Sequence, residues 1–399
     1  MTQARPSLTD AVDSVLPDAL DLSHRVHAHP EIAFEERQAS TWTAELLEGH
    51  GFDITAPVGG LETAFVARWK GERPGPVVAF AGEYDALPEV GHGCGHNLMC
   101  SSSAGAAVAA ATMLGHEFDG EIRFIGTPAE EAGNGKVHLI AAGVFDDVDI
   151  CLQIHPSDSS SAEIYCLAVT EVGVTFHGTL AHASADPWLG KNALDAIVLL
   201  HTMVAQWRQH LKPGERVHGI ITHGGAAPNI VPDLTRGRWY LRTPIDEDLD
   251  AMIERFGSMA EAAATATGCT ATLENDPMNR CRTMLNSPTL LEVWRRHLAD
   301  AGVEDAPVDP NAGSTDMANV SHVVPTIHPY LAIAPRGTPG HSREFAAHAG
   351  GPDGDRMLPA AIRVLAATAV EMVRNPALVQ RAWQDLRAAG GGQARGHSG

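Results

Sequence analysis

A short apolar run that ends in a polar, glycine-spaced loop constrains this chain more than any other stretch. Val77–Ala81 (VVAFA) reads as a buried strand. It runs directly into Gly82–Asn97, GEYDALPEVGHGCGHN, which gathers carboxylates, histidines and a cysteine. A helix of small residues, Ala104 to Leu114, follows. Strand, polar loop and helix in that order belong to an α/β domain, whose chemistry sits at the carboxyl ends of parallel strands. Within the loop, the pair Cys94-Gly-His96 can place a thiolate and an imidazole on one metal ion.

The unit recurs. Glu121–Gly126 (EIRFIG) is a second strand; it stops at Thr127-Pro128-Ala129-Glu130-Glu131, and a helix follows from Lys136 to Ala142. Asp149–Ile154 (DICLQI) is a third, and it stops at His155-Pro156. Such repetition predicts a parallel or mixed central sheet with helices on both faces. Before it come a helix from Leu8 to His29, a second from Glu35 to Leu47, and a strand at Thr63–Trp69. Thr9 or Asp10 is expected to cap the first helix, and Pro17 to kink or divide it.

From about Ala168 the period changes. Ala168–His177 alternates like a half-exposed strand. Then come a helix (Asn192–His210), two strands (Val217–Thr222 and Thr235–Arg242), a helix (Asp246–Thr267) and a strand (Thr270–Glu274). That is the ferredoxin-like, split β-α-β order. The expected organisation is an α/β catalytic domain, residues 1–168 and 283–399, with an α+β domain inserted at 169–282. The second catalytic segment holds a helix (Thr289–Ala301), a strand (Thr326–Ala332) and a helix (Met357–Arg374). Its Gly-rich end, from about residue 390, is expected to be disordered.

Composition narrows the function. A formal net charge of −21 argues against a general affinity for nucleic acid or an anionic membrane, since both need excess Lys and Arg, and leaves room for a local basic pocket for an anionic substrate. The longest apolar stretch, around Ala104–Leu114, reads as too short to span a bilayer. The six cysteines are scattered and form no disulfide framework. The start, MTQARPSLTDAVD, lacks an apolar signal core, so the expected location is the cytoplasm.

Cys94, His96, Glu131, His155 and His341 all stand in loops just after strands. Any one of them alone is ordinary: a small buried thiol, or a solvated or core histidine. Together they supply thiolate, imidazole and carboxylate, the ligand types for first-row metals. Two ions sharing a water would suit such a set, with Cys94 able to bridge them. Of adjacent Glu130 and Glu131, one can bind metal while the other takes a proton from water. A thiol redox role for Cys94 and Cys100 is disfavoured, because Cys-x5-Cys is not a redox spacing.

The segments EYDALPEVGHGCGHN, GTPAEEAGNGKVHLIAAGVFDDVD, QIHP, GTLAHAS, HGGAAPNIVPD and PGHSREF resemble the co-catalytic metallopeptidase family of aminoacylase and carboxypeptidase G. The resemblance is closest to its amidohydrolase branch, similar to p-aminobenzoyl-glutamate hydrolase and the aminoacylase-like dipeptidases. It implies two divalent ions, zinc or manganese with cobalt or nickel permitted, held by Cys94, His96, Glu131, His155 and His341. It implies Glu130 as general base, Asp85 as the carboxylate that orients a ligand, and His182 of the inserted domain as oxyanion support. Asn229 and Arg242 resemble groups that hold a substrate carboxylate. The implied substrate is a small N-acyl or N-aminoacyl amino acid or dipeptide. The implied assembly is a homodimer through the inserted domain, which would also act as a lid.

Two positions depart from the family pattern. Glu83-Tyr84-Asp85 has no histidine where many relatives carry His-x-Asp, and Asn97 stands where many members of the branch have Asp. Glu83 and His92 are expected to be structural, or at most to stand behind the ligands. Asp316 is expected near the site without an assigned role. The competing reading is a non-catalytic, metal-containing binding protein descended from this family. Loss of the base or of a ligand would mark it, and every such position is filled.

Overall fold

A computed structural model describes residues 5–309 and 313–392. The chain forms two compact units, Met1–Tyr165 with Met284–Gly399, and Cys166–Thr283.

The first unit is built on a six-stranded mixed sheet. Its spatial order is Asp53–Thr55, Phe65–Lys70, Asp119–Gly126, Arg73–Gly82, Ile150–Leu152 and Thr326–Ile327. The last four strands are mutually parallel, and the first two pair antiparallel. Alternation along Arg73–Gly82 covers both faces. Val78 and Phe80 enter a core with the helices Leu8–Ala28, His96–Leu114 and Pro352–Arg374. Ala79 and Ala81 enter another with the helices Gly135–Ala141 and Met317–Ser321. A parallel sheet needs such double cover, because its strands are apolar on both sides.

The chain leaves Arg73–Gly82 through the helix on one face, returns in Asp119–Gly126, and crosses by the other face to Ile150–Leu152. The strand order reverses around the end of Arg73–Gly82, where α/β sheets open a crevice for ligands.

Several local expectations are corrected. The first helix runs unbroken through Pro17, whose ring lies on the exposed face, so the carbonyl it leaves unpaired can reach water. Ser7 is its cap: Ser7 Oγ accepts the Asp10 N–H at 3.1 Å, and Asp10 Oδ2 accepts the Ser7 N–H at 3.1 Å. The small-residue helix starts at His96, not Ala104, and its 19 residues are long and apolar enough to cross a membrane by length and composition. Here 89% of that stretch is buried in protein, as expected of a helix apolar all round.

The strand expected at Thr326–Ala332 is two strands. Thr326–Ile327 completes the large sheet, and Tyr330–Ala332 pairs with His155–Ser157. The break falls at His328-Pro329, because proline has no N–H to continue the ladder. A last helix, Pro376–Ala388, lies beyond the expected elements. Pro376 reads as a stop after Arg374, yet proline also suits the first turn of a new helix. Gly390–Gly392 are ordered against it: the Gly391 N–H donates to Leu386 O at 2.9 Å and the Gly392 N–H to His322 O at 2.8 Å. The rest of the expected disordered tail, 393–399, lies outside the described residues.

The second unit has an antiparallel sheet in the order Thr270–Glu274, Ala168–His177, Leu234–Thr243, Arg216–His223. Numbered along the chain that order is 4-1-3-2, with the helices Ala193–Trp207 and Asp246–Thr267 packed on it through Ile197, Leu200, Leu249 and Phe256. The edge strand Arg216–His223 leaves Ile220 and Ile221 exposed.

Candidate metal centre

Four parallel strands end on one edge of the large sheet, and each delivers polar residues there. Arg73–Gly82 gives Glu83 and Asp85, Asp119–Gly126 gives Glu130 and Glu131, Ile150–Leu152 gives His155, and Thr326–Ile327 gives His328. His341 arrives from a separate loop. Its backbone is left-handed at φ 56°, and its N–H donates to Gly93 O at 2.9 Å, tying that loop beside Cys94.

Cys94 and His96 flank Gly95, the cap of the His96–Leu114 helix. Gly95 has φ 79°, and a Cβ there would lie 2.9 Å from the Pro156 ring, so only glycine fits this turn without strain. The close approach to Pro156 brings Cys94 Sγ to 3.2 Å from His155 Nε2.

The hydrogen bonds fix the tautomers. His96 Nδ1 lies 2.9 Å from Asp85 O and 3.0 Å from Asp85 Oδ1. Both partners are acceptors, so Nδ1 carries the proton and Nε2 presents its lone pair. His155 Nδ1 faces Pro156 O at 2.5 Å, which leaves its Nε2 free toward Cys94 in the same way. Asp85 Oδ2 accepts the Glu131 N–H at 2.9 Å, and Glu131 Oε1 lies 3.5 Å from His341 Nε2.

Among the described residues, three groups bring ligand atoms within 4.8 Å of one another: Cys94, His96 and His155; Cys94, Glu131 and His341; Glu83, His96 and Glu130. Shared members join them, Cys94 linking the first two and His96 the first and third. The residues fit divalent metal. His96 Nε2, Glu131 Oε1 and Glu83 Oε2 are buried without a hydrogen-bond partner, an arrangement that is costly unless a cation satisfies it.

The electrostatics agree. Burial pushes the Cys94 thiol up and Glu131 adds to the shift; a bound cation would reverse it. Burial, then Glu83 and Glu131, holds Glu130 well above the usual carboxylate range. Burial lowers His155 to about 4, leaving its imidazole neutral at pH 7 as a ligand must be. At His96 burial works the other way from its neighbours, and Asp85, Cys94 and Glu83 prevail to raise it well above its ordinary value. The pocket wants positive charge at that nitrogen.

Lys136 and His328, buried here, carry no role expected from the sequence. Glu83, expected to be structural or to stand behind the ligands, points into the site, with Oε2 3.2 Å from His96 Nε2. Lys136 Nζ donates to Glu83 Oε1 at 2.5 Å and to Asp316 Oδ1 at 2.7 Å, which gives Asp316 a structural role. A buried lysine leaves no periodic signature. His328 did leave one, because Ile327-His328-Pro329 repeats Ile154-His155-Pro156 at a second strand end. Its ring centroid is 5.5 Å from that of His155. His92 is buried, its Nε2 3.1 Å from Val26 O. Asn97 Nδ2 donates to Ser23 Oγ and Ala349 O, tying helices together behind the centre.

In the second unit, His182 lies on a two-stranded ribbon, Ala181–His182 with Ile230–Val231. Its Nδ1 accepts backbone N–H groups from Ser184 at 3.3 Å and Ala185 at 3.2 Å, so Nε2 carries the proton and can donate. Asn229 joins the same ribbon, its carbonyl accepting the Ala183 N–H at 3.0 Å. Arg242 is not brought to them. It lies near the far end of Leu234–Thr243, roughly 26 Å along the strand from Leu234, with its guanidinium over Tyr240.

Known proteins resemble this chain in sequence and in fold. The model of Peptidase family M20/M25/M40 matches residues 79–371. The chain is 37% identical over 374 residues to the Xaa-Arg dipeptidase of Mus musculus, covering 90% of this chain and 86% of that protein. It is 32% identical over 340 residues to a p-aminobenzoyl-glutamate hydrolase chain of Escherichia coli (strain K12), covering 80% of this chain and 69% of that one. Among solved structures, the Bacillus subtilis YXEP protein, a dinuclear metal binding peptidase from the M20 family, matches with a TM-score of 0.69. That match is 22% identical and covers 91% of this chain and 99% of the other, so it speaks for the fold. Matched along most of its length, the chain belongs to peptidase family M20/M25/M40 and is a metal-dependent peptidase or amidohydrolase.

Proposed function

We propose that this enzyme hydrolyses the amide bond of a small N-acyl or N-aminoacyl amino acid, dipeptides included, with water as nucleophile and Glu130 as general base. One observation carries the reading. Cys94, His96, Glu131, His155 and His341 converge in overlapping groups, with Glu130 beside His96. The first five form the proposed ligand set, with Cys94 placed to serve both of two ions. Thiolate and imidazole favour zinc, and manganese, cobalt or nickel would be accepted by the same donors.

When bound, the ions supply Lewis acidity and a lowered water pKa. Glu130 takes the water proton and passes it to the leaving amine nitrogen. His182 donates its Nε2–H to the developing oxyanion. Asn229, on the same ribbon, offers its amide to the substrate's free carboxylate. Arg242, far along its strand, is left out of the binding set.

The names of two relatives point to substrates with a C-terminal arginine or glutamate. The formal charge of −21 favours the cationic member, which such a field would attract. A homodimer through the second unit belongs to the proposal, supported by exposed Ile220 and Ile221 on an edge strand. A cytoplasmic location accords with six cysteines scattered along the chain in no disulfide-framework pattern.

The test is Glu130→Gln with metal content and turnover measured together. Turnover should vanish while metal content holds, and near-normal activity would remove Glu130 as base. A panel of Xaa-Arg dipeptides, p-aminobenzoyl-glutamate, N-acetyl and N-benzoyl amino acids and β-alanyl dipeptides, each with several metals, assigns the substrate.

A further inference from the structure

Glu83 is fully buried, one residue past the end of the central strand. Its two carboxylate oxygens have different surroundings. Oε1 accepts from Lys136 Nζ at 2.5 Å, while Oε2 has no hydrogen-bond partner and faces His96 Nε2 at 3.2 Å. His96 Nε2 has no hydrogen-bond partner either. Because Nδ1 of that ring is committed to Asp85 as a donor, two lone pairs confront each other in a fully buried space. Something positive must lie between them, either a proton on Nε2 or a metal ion.

Three features favour the metal ion. A Glu130 oxygen, a Glu83 oxygen and a ring nitrogen of His96 lie within 4.8 Å of one another, so a third donor stands in the same group. Metal–nitrogen and metal–oxygen bonds of about 2.0–2.2 Å, set near a right angle, span about 3 Å between the two donors. Lys136 brings one positive charge to two buried carboxylates, Glu83 and Asp316, so that trio remains negative.

The aiming of Glu83 is also built in. Lys136 is held from two sides, its Nζ by Asp316 Oδ1 at 2.7 Å and its backbone N–H by Asp316 Oδ2 at 2.9 Å. Fixed there, it takes Oε1 and leaves Oε2 turned toward the centre. We propose that Glu83 is a further metal ligand, its Oε2 sharing a divalent cation with His96 Nε2, and that Lys136 and Asp316 are the positioning residues that aim it. This rests on the metal-centre reading above and adds a carboxylate to it.

The test is direct metal binding by the full chain. Metal-free protein is titrated with Mn²⁺ and with Zn²⁺ by calorimetry for wild type, Glu83→Gln and Lys136→Met, with near-UV circular dichroism to confirm folding. Wild type should bind two ions. Glu83→Gln should weaken one of the two sites by at least about tenfold, and Lys136→Met should weaken the same site. Wild-type crystals soaked in Mn²⁺ give a second measurement that needs no variant. An anomalous peak should lie about 2.2 Å from Glu83 Oε2. Unchanged affinity at both sites in folded Glu83→Gln, or an Oε2 more than about 3 Å from every ion, overturns the assignment and leaves a protonated His96 as its partner. Failure of wild type to bind any ion overturns the metal-centre reading itself, a different result.

Discussion

Asp85 grips His96 twice, with its carbonyl oxygen 2.9 Å and its Oδ1 3.0 Å from the same ring nitrogen. Its other carboxylate oxygen accepts the Glu131 N–H at 2.9 Å, so one side chain aligns proposed ligands from two strand ends. Asp85→Ala removes both side-chain contacts and leaves only the carbonyl. Metal affinity should fall about 10–100-fold, the usual cost of losing a partner that orients a ligand. Activity at low metal should drop and recover with excess metal. An unchanged metal titration would show that Asp85 does not orient the ligands.

Much of this centre is visible in the chain because Cys94, His96, Glu131 and His155 lie in the segments that leave apolar strands. The sheet makes strand ends neighbours, so residues as distant as Glu83, Glu130 and His155 meet once the strands are read as parallel. What could not be read is which way side chains turn at those ends. Glu83 looks like loop polarity until Lys136 is seen holding one of its oxygens, and Lys136 looks like a solvated helix start. Helix boundaries were hidden for a related reason. His96 begins a helix because Gly95 takes a left-handed turn against Pro156, a contact between segments far apart in sequence. Arg242 had only its residue type and strand position to speak for it, and neither shows which end of the sheet carries the ribbon.

Gly95 makes that turn testable. A side chain there must adopt φ near 79° and meet the Pro156 ring at 2.9 Å. Gly95→Ala should destabilise the protein by about 1–3 kcal/mol in urea unfolding, from left-handed strain and overpacking. Because Cys94 and His96 flank it, metal should also bind more weakly. A variant of normal stability and normal metal affinity would mean the turn relaxes freely.

His182 is the proposed donor to the oxyanion, and its tautomer is set by two backbone N–H groups on Nδ1. His182→Ala should lower kcat by about 10²–10³, the scale for losing one such donor. Metal content should not change, since the ring is outside the ligand set. If metal content falls with kcat, His182 acts on the centre rather than on the transition state.

Glu36 offers a pH test away from the ligands. Its carboxyl is buried; Oε1 accepts the N–H groups of Phe34 and Ala129, each at 2.9 Å, and Oε2 accepts Thr63 Oγ1–H at 2.9 Å. Ala129 is left-handed, at φ 60°, and immediately precedes Glu130. Burial outweighs those hydrogen bonds and raises Glu36 from 4.5 to about 7. The folded state therefore binds this proton more tightly than the unfolded chain does. Stability from Glu36 is complete below pH 4.5 and is lost as pH rises through 7. Across that window wild type should lose on the order of 3 kcal/mol relative to Glu36→Gln, which has no proton to release. Urea unfolding of both proteins at several pH values from 4.5 to 8 measures the difference. If wild type instead gains on the variant as pH rises, the three hydrogen bonds to the carboxylate outweigh its burial, and Glu36 is ionised through the neutral range.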